Sequence, residues 1–407
     1  MMNPASSTPS SPSSPSSGTA PETTAAPTVP LTTADLSADP VELTRTLVDV
    51  PSRSHEEEAI ADALHTALEG LRADHPHVTV DRHGNTLVAR THRGLPTRVI
   101  LAGHIDTVPP AGNLPSSRRP DEAGRDSIHG LGSVDMKSGD AVYIHAFATL
   151  AGDPRLAHDL TLVLYEGEEV ATRYNGLGHL VESHPDWLTG DVALLGEPSG
   201  AVIEAGCQGT LRVRVTAHGT RAHSARAWLG DNAVHRLSPV IARVGAYRPR
   251  DVDIDGCLYR EGLNVVHLEA GVATNTVPDE AWMFVNFRFA PDRTAEEALD
   301  HTLGVLGVGI PDDPVEGFSV EVDDLAPGAL PGLHQPAAAA LVEATGGNVR
   351  AKFGWTDVSR FSSLGIPAVN FGPGDPGLCH TPQENCPVEM IETVSAQLTD
   401  YLTRKAR

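Results

Sequence analysis

Two hydrophobic textures alternate along the chain, and they predict different elements. Four short, predominantly apolar runs lie at 99–102, 160–165, 192–195 and 368–371. Runs of this length and composition read as strands buried on both faces. Stripes at helical spacing lie before and between them. Asp39, Pro40 and Glu42 read as an N-cap, a first-turn proline and a capping-box acid, and Leu43, Leu47 and Val48 supply an apolar face. A second helix is expected over 57–71, with Ile60, Leu64 and Leu68 on one side, and another over 140–150. Strands alternating with helices predict an α/β fold, a mainly parallel central sheet with helices on both faces.

The texture changes over 208–323. Residues 211–215 alternate as a half-exposed strand does, a helix follows from Asn232, and strands are expected near 265–269 and 281–289. This segment reads as an inserted α+β domain with a largely antiparallel sheet. The main domain is then split into 31–207 and 324–407. Residues 1–30 repeat Ser, Pro, Thr and Ala, a composition too poor in apolar surface to offset the entropy of ordering, so a disordered tail is expected there.

Charge and composition narrow the function classes. The chain carries 53 acidic against 30 basic residues, a net charge of −23. That balance opposes nucleic-acid binding, which needs clustered Lys and Arg. No apolar run approaches the roughly 18 residues of a membrane span, and the N-terminus lacks the order of a signal peptide. The cysteines, Cys207, Cys257, Cys379 and Cys386, form no CxxC pair, so a reduced, cytoplasmic protein is expected rather than a disulfide scaffold.

Ligands in open α/β sheets collect beyond the carboxyl ends of the strands. Each of the four buried runs is followed by metal-type side chains. These are Gly103-His104-Ile105-Asp106, Glu166-Gly167-Glu168-Glu169, Gly196-Glu197-Pro198, and a glycine-rich loop leading to Cys379-His380. A fifth candidate is Asp135, just before a helix. Each piece alone is commonplace: a loop pair, a solvated helix start, a surface histidine. Their recurrence at four strand ends is not. A mixed set of His and carboxylates suits a borderline cation such as zinc, and the set is too large for one tetrahedral site.

These residues resemble the zinc-dependent amidohydrolase and exopeptidase family of succinyl-diaminopimelate desuccinylase, acetylornithine deacetylase and aminoacylase. The resemblance runs from about Asp39 to the C-terminus. It rests on the stretches around His104 and Asp135, on Tyr165 through Val170, and on Gly196-Glu197-Pro198-Ser199. It continues in Gly219-Thr220-Arg221-Ala222-His223-Ser224 and in Gly354-Trp355-Thr356-Asp357-Val358-Ser359-Arg360-Phe361. Two departures stand out. The glycine that often follows the glutamate pair is missing, and the spacing from Asp357 to Arg360 differs by one residue from the Gram-negative-type desuccinylases.

The resemblance implies two Zn(2+) per subunit, with Co(2+) as a substitute. His104 and Glu197 would bind one ion, Glu169 and His380 the other, and Asp135 both. Asp106 would hold the ring of His104, and Glu168 would be the general base. The insert would mediate a homodimer, and His223 would reach the partner's site to stabilise the oxyanion. Arg288, Arg360 and Asn275 would contact substrate. The expected substrate is a small N-acyl amino acid, N-succinyl-LL-2,6-diaminopimelate first, with acetylornithine or another acyl amino acid as the alternative. A non-catalytic metal- or peptide-binding module is the remote alternative.

Overall fold

The computed structural model describes residues 31–404, so the expected tail at 1–30 lies outside the described residues. All four apolar runs become neighbouring central strands. In spatial order they are Asp159–Tyr165, Arg98–His104, Val192–Pro198 and Ala368–Gly372, paired in parallel. Their side chains divide by parity. Leu101, Leu162, Leu194 and Val369 enter one core. Ile100, Val163, Ala193 and Ala368 enter another on the opposite face. A strand with cores on both sides has no polar face, which is why these stretches carry no alternation.

Helices cover both faces. Pro40–Val48, Lys137–Leu150 and Val388–Thr403 pack together on the first core. Gly176–Ser183 and Val358–Ser363 contribute Leu177, Leu180, Val358 and Phe361 to the second. Asp39 caps the first of these helices by accepting from Val41 N–H at 2.7 Å. Glu42 does not close a capping box, since its carboxylate turns along the helix to Arg45 at 3.1 Å.

The sheet has eight strands and is mixed at its flanks. An antiparallel hairpin, Val78–His83 with Thr86–Thr91, continues it beyond Asp159–Tyr165. At the other side Ile203–Ala205 runs antiparallel to Ala368–Gly372 and parallel to Val349–Ala351.

A second, four-stranded antiparallel sheet has the order Gly262–Ala270, Glu280–Phe289, Gly209–His218, Phe318–Ala326. Helices Ala233–Ala246 and Ala295–Leu306 bury one face of it in a core of its own. Asn232 caps the first of them, accepting from Val234 N–H at 2.9 Å. The last strand runs to Ala326, past the change of texture expected at 324, because a bulge between Val322 and Asp324 lets pairing continue to Thr210. No helix among the described residues is long and apolar enough to cross a membrane.

Candidate active site

Parallel strands deliver the site residues to one edge. His104 ends strand Arg98–His104, Glu197 lies near the end of Val192–Pro198, and Glu168 and Glu169 follow Asp159–Tyr165 directly. Asp135 precedes helix Lys137–Leu150, across a cis bond to Met136. That helix sits close to the Glu197 strand because Gly139 meets the backbone of Gly196. A Cβ at Gly139 would lie 2.0 Å from the Gly196 carbonyl oxygen.

Asp135 joins the two histidines. Its Oδ1 is 3.2 Å from His104 Nε2, and its Oδ2 is 3.2 Å from His380 Nε2. Glu197 lies 4.0 Å from the same His104 nitrogen, and Glu169 lies 3.0 Å from the same His380 nitrogen. Two clusters result, His104–Asp135–Glu197 and Asp135–Glu169–His380, each with ligand atoms within 4.8 Å of one another. His380 takes a left-handed backbone, φ 61°, on its loop.

Asp106 is the organiser beneath them. It is fully buried. Its Oδ2 accepts from Ser54 Oγ at 2.7 Å and from Glu169 N–H at 3.2 Å, and its Oδ1 accepts from Glu168 N–H at 3.1 Å. Oδ1 also lies 3.5 Å from His104 Nδ1, which is 3.1 Å from the Asp106 carbonyl oxygen. One carboxylate therefore aims the His104 ring and fixes the loop carrying both glutamates.

Burial and close approach make these groups perturb one another. Burial raises Glu197, and Asp135 beside it adds to that, to about 7. Burial likewise pushes Glu168 well above the ordinary carboxyl range; the field of His104 opposes this, and Glu197 and Asp357 reinforce it. Hydrogen bonds to Asp135 and Glu169 raise His380 to about 10. Burial works against a charged His104, but Asp106 and Asp135 outweigh it and lift that imidazole well above its usual value. Burial also opposes ionised Asp135, yet the two histidines hold it low. The surrounding carboxylates thus favour positive charge on both imidazoles. No Lys or Arg forms an ion pair with Asp135, Glu168, Glu169 or Glu197 among the described residues. Carboxylates concentrated without a basic partner, mixed with imidazoles, are a donor set that fits divalent cations.

Glu168 differs from its neighbour. Its side chain makes no hydrogen bond among the described residues, and it lines a cavity of about 470 Å³. Arg360 lines the same cavity, where it is ion-paired with buried Asp357 and sits 5.7 Å over the Trp355 ring. Arg288 is not on the cavity wall. It is half-buried on strand Glu280–Phe289, opposite Thr210 and on the same sheet face as Arg212. His223 and Asn275 are exposed, and neither lines the cavity. They lie together, since His223 pairs with Thr276, and the Asn275 carbonyl accepts from Ser224 N–H at 2.8 Å.

Several residues of this site carry no local signal. Glu384 is 2 % exposed and accepts from Val134 N–H at 2.8 Å and Asp135 N–H at 3.1 Å, which pins the loop of the shared ligand. Asn175 donates to Asp357 at 2.8 Å. Arg173 and Arg212 line the cavity beside Glu168. Only Arg212 lay in a segment already read, as one position of an alternating strand.

Comparison with known proteins finds relatives over most of the chain. The chain is 56% identical over 370 residues to succinyl-diaminopimelate desuccinylase of Corynebacterium glutamicum, covering 91% of this chain and 97% of the relative. It is 31% identical over 376 residues to a LysW-lysine hydrolase of Deinococcus radiodurans, covering 89% and 96%. The crystal structure of a Staphylococcus aureus tripeptidase shares the fold, with a TM-score of 0.69 at 20% identity over 92% of this chain and 99% of that one. The model of peptidase family M20/M25/M40 matches residues 100–404, and with that match the chain belongs to this family.

Proposed function

We propose that the chain hydrolyses N-succinyl-LL-2,6-diaminopimelate to succinate and LL-2,6-diaminopimelate, using two zinc ions, with cobalt as a functional substitute. The observation that carries the reading is the pair of clusters sharing Asp135, with an unpaired Glu168 on the wall of an adjoining cavity. The relative of that name, at 56% identity, supports the substrate.

In this reading His104 and Glu197 hold one ion, Glu169 and His380 the other, and Asp135 both. When bound, such a pair lowers the pKa of water and polarises the scissile carbonyl. Glu168 takes the proton from the attacking water and passes it to the leaving amine as the C–N bond breaks. Asp106 keeps Glu168 within reach by holding its backbone N–H. Its grip on the adjacent Glu169 N–H lets one glutamate ligate while its neighbour stays free. Arg360 on the cavity wall, Arg288 and Asn275 are the substrate contacts of this reading. Residues 208–323 form an inserted lid through which two copies associate, and His223 stabilises the oxyanion in the partner's site. The enzyme works in the cytoplasm on a small molecule, without nucleic acid or membrane.

The test is succinate release by the zinc-loaded protein across a panel of N-succinyl-LL-diaminopimelate, acetylornithine and other acyl amino acids. Glu168→Gln should keep both metals and lose roughly 100- to 10,000-fold in kcat. Cleavage of acetylornithine in place of the succinyl compound would overturn the substrate. A Glu168→Gln enzyme of wild-type rate would overturn the mechanism.

A further inference from the structure

We infer that Arg173 is a specificity-determining residue that binds a carboxylate of the substrate remote from the scissile amide. This rests on the acyl amino acid reading above. Three guanidinium groups line the cavity beside Glu168, those of Arg173, Arg212 and Arg360. Two are already neutralised. Arg212 is ion-paired with Asp323, and Arg360 with Asp357. Arg173 has no carboxylate partner among the described residues. Among the described residues its only side-chain hydrogen bond runs to Tyr174 Oη at 3.2 Å, with the guanidinium 4.5 Å over that ring.

The backbone around it is anchored on both sides. The loop is held at its start by Asp106, through the backbone of Glu168 and Glu169. At its end Asn175 is tied to Asp357 at 2.8 Å. Just before the start Gly167, at φ +71°, lets the chain come close to Tyr174, whose carbonyl oxygen would lie 2.3 Å from any Cβ there. Tyr174 in turn packs edge-on against His55, with ring centroids 4.6 Å apart. Arg173 is exposed on the cavity wall, and its guanidinium, laid over the Tyr174 ring with no acid beside it, can take a carboxylate in two parallel bonds. The same loop carries the general base, so a carboxylate seated on Arg173 registers the amide against Glu168.

Two carboxylates could fill this role, the terminal one of the succinyl group and the distal one of diaminopimelate. The zinc-loaded full chain and Arg173→Gln are compared on three substrates: N-succinyl-LL-diaminopimelate, N-acetyl-LL-diaminopimelate, which lacks the first carboxylate, and Nα-succinyl-L-lysine, which lacks the second. Arg173→Gln should raise KM for the full substrate roughly ten- to a hundredfold while kcat stays within about threefold. Arg173→Lys should recover part of that loss. The analogue whose KM is the same in wild type and variant identifies the carboxylate that Arg173 holds. Unchanged KM for the full substrate overturns the assignment, as does an equal rise on all three substrates or a fall in bound metal. No succinate release by the wild type would instead overturn the substrate reading, and this assignment with it.

Discussion

Replacing Asp106 with asparagine separates what a buried carboxylate does from what its amide isostere can do. Oδ2 accepts from Ser54 Oγ and Glu169 N–H, and Oδ1 accepts from Glu168 N–H beside His104 Nδ1. All these partners can donate, and only a carboxylate accepts from every one of them. With the amide oxygen at the Oδ1 position, the NH2 faces Ser54 and Glu169. The Ser54 hydroxyl can rotate to accept, but the Glu169 N–H cannot. One buried N–H is then left without an acceptor, at a cost of about 1–3 kcal/mol. The surviving bonds lose their ionic reinforcement, which roughly doubles such bonds. The reverse orientation sets two donors against the NH2 and costs more. Calorimetry of the metal-loaded protein should show a melting temperature lower by roughly 1–4 °C. Succinate release should fall about ten- to a hundredfold in kcat/KM, as for other residues that orient metal ligands. The pH dependence has a definite sign. Burial alone would raise Asp106, but His104 and the other hydrogen-bond donors outweigh it and hold it below 3.8. Its contribution is therefore present above pH 3.8 and lost as the pH falls through the lowered folded value. The gap between wild type and Asp106→Asn should close on that acidic side. An Asp106→Asn protein with wild-type melting and turnover would refute the organising role; reduced melting with unchanged kcat/KM would leave only a structural one.

Glu384→Ala strips the acceptor from two buried N–H groups and should sharply lower metal content, whereas Glu384→Gln keeps an acceptor and should retain metal. Equal metal content by elemental analysis in the two variants would contradict this. Metal must displace the proton that Asp135 and Glu169 hold on His380 up to about pH 10, so affinity for the ion bound by His380 should rise roughly tenfold per pH unit between pH 6 and 8.5, read by calorimetric titration. In the metal-free protein the same pairing stabilises the fold fully below pH 6.5 and fades as the pH rises through about 10; a flat affinity profile would remove His380 from the ligand set. Gly139→Ala drives a methyl group into the Gly196 carbonyl, a backbone atom that cannot swing aside, and should cost about 1–3 kcal/mol with loss of activity through Glu197. Normal melting and turnover would show that the helix tolerates retreat from the strand.

Local pattern carried most of the architecture. The runs at 99–102, 160–165, 192–195 and 368–371 announced strands because burial on both faces selects mostly apolar side chains. The alternation at 211–215 announced a half-buried sheet because a strand's side chains point to opposite faces in turn. The candidate ligands were legible for the same reason: each of His104, Glu169 and Glu197 sits within a few residues of a strand end, and parallel strands put those ends on one edge. What sequence left open is what depends on partners far along the chain. Glu384 grips an N–H 249 residues upstream, and nothing in its neighbours distinguishes it from a solvated loop acid. The antiparallel turn of Ile203–Ala205 against Ala368–Gly372 leaves no mark in a three-residue strand. Arg173, Arg212 and Arg360 are alike as letters, and only the packing of Asp323 and Asp357 against two of them singles out the third. Periodicity records which way a side chain faces; the charge or acceptor that meets it there belongs to the tertiary fold.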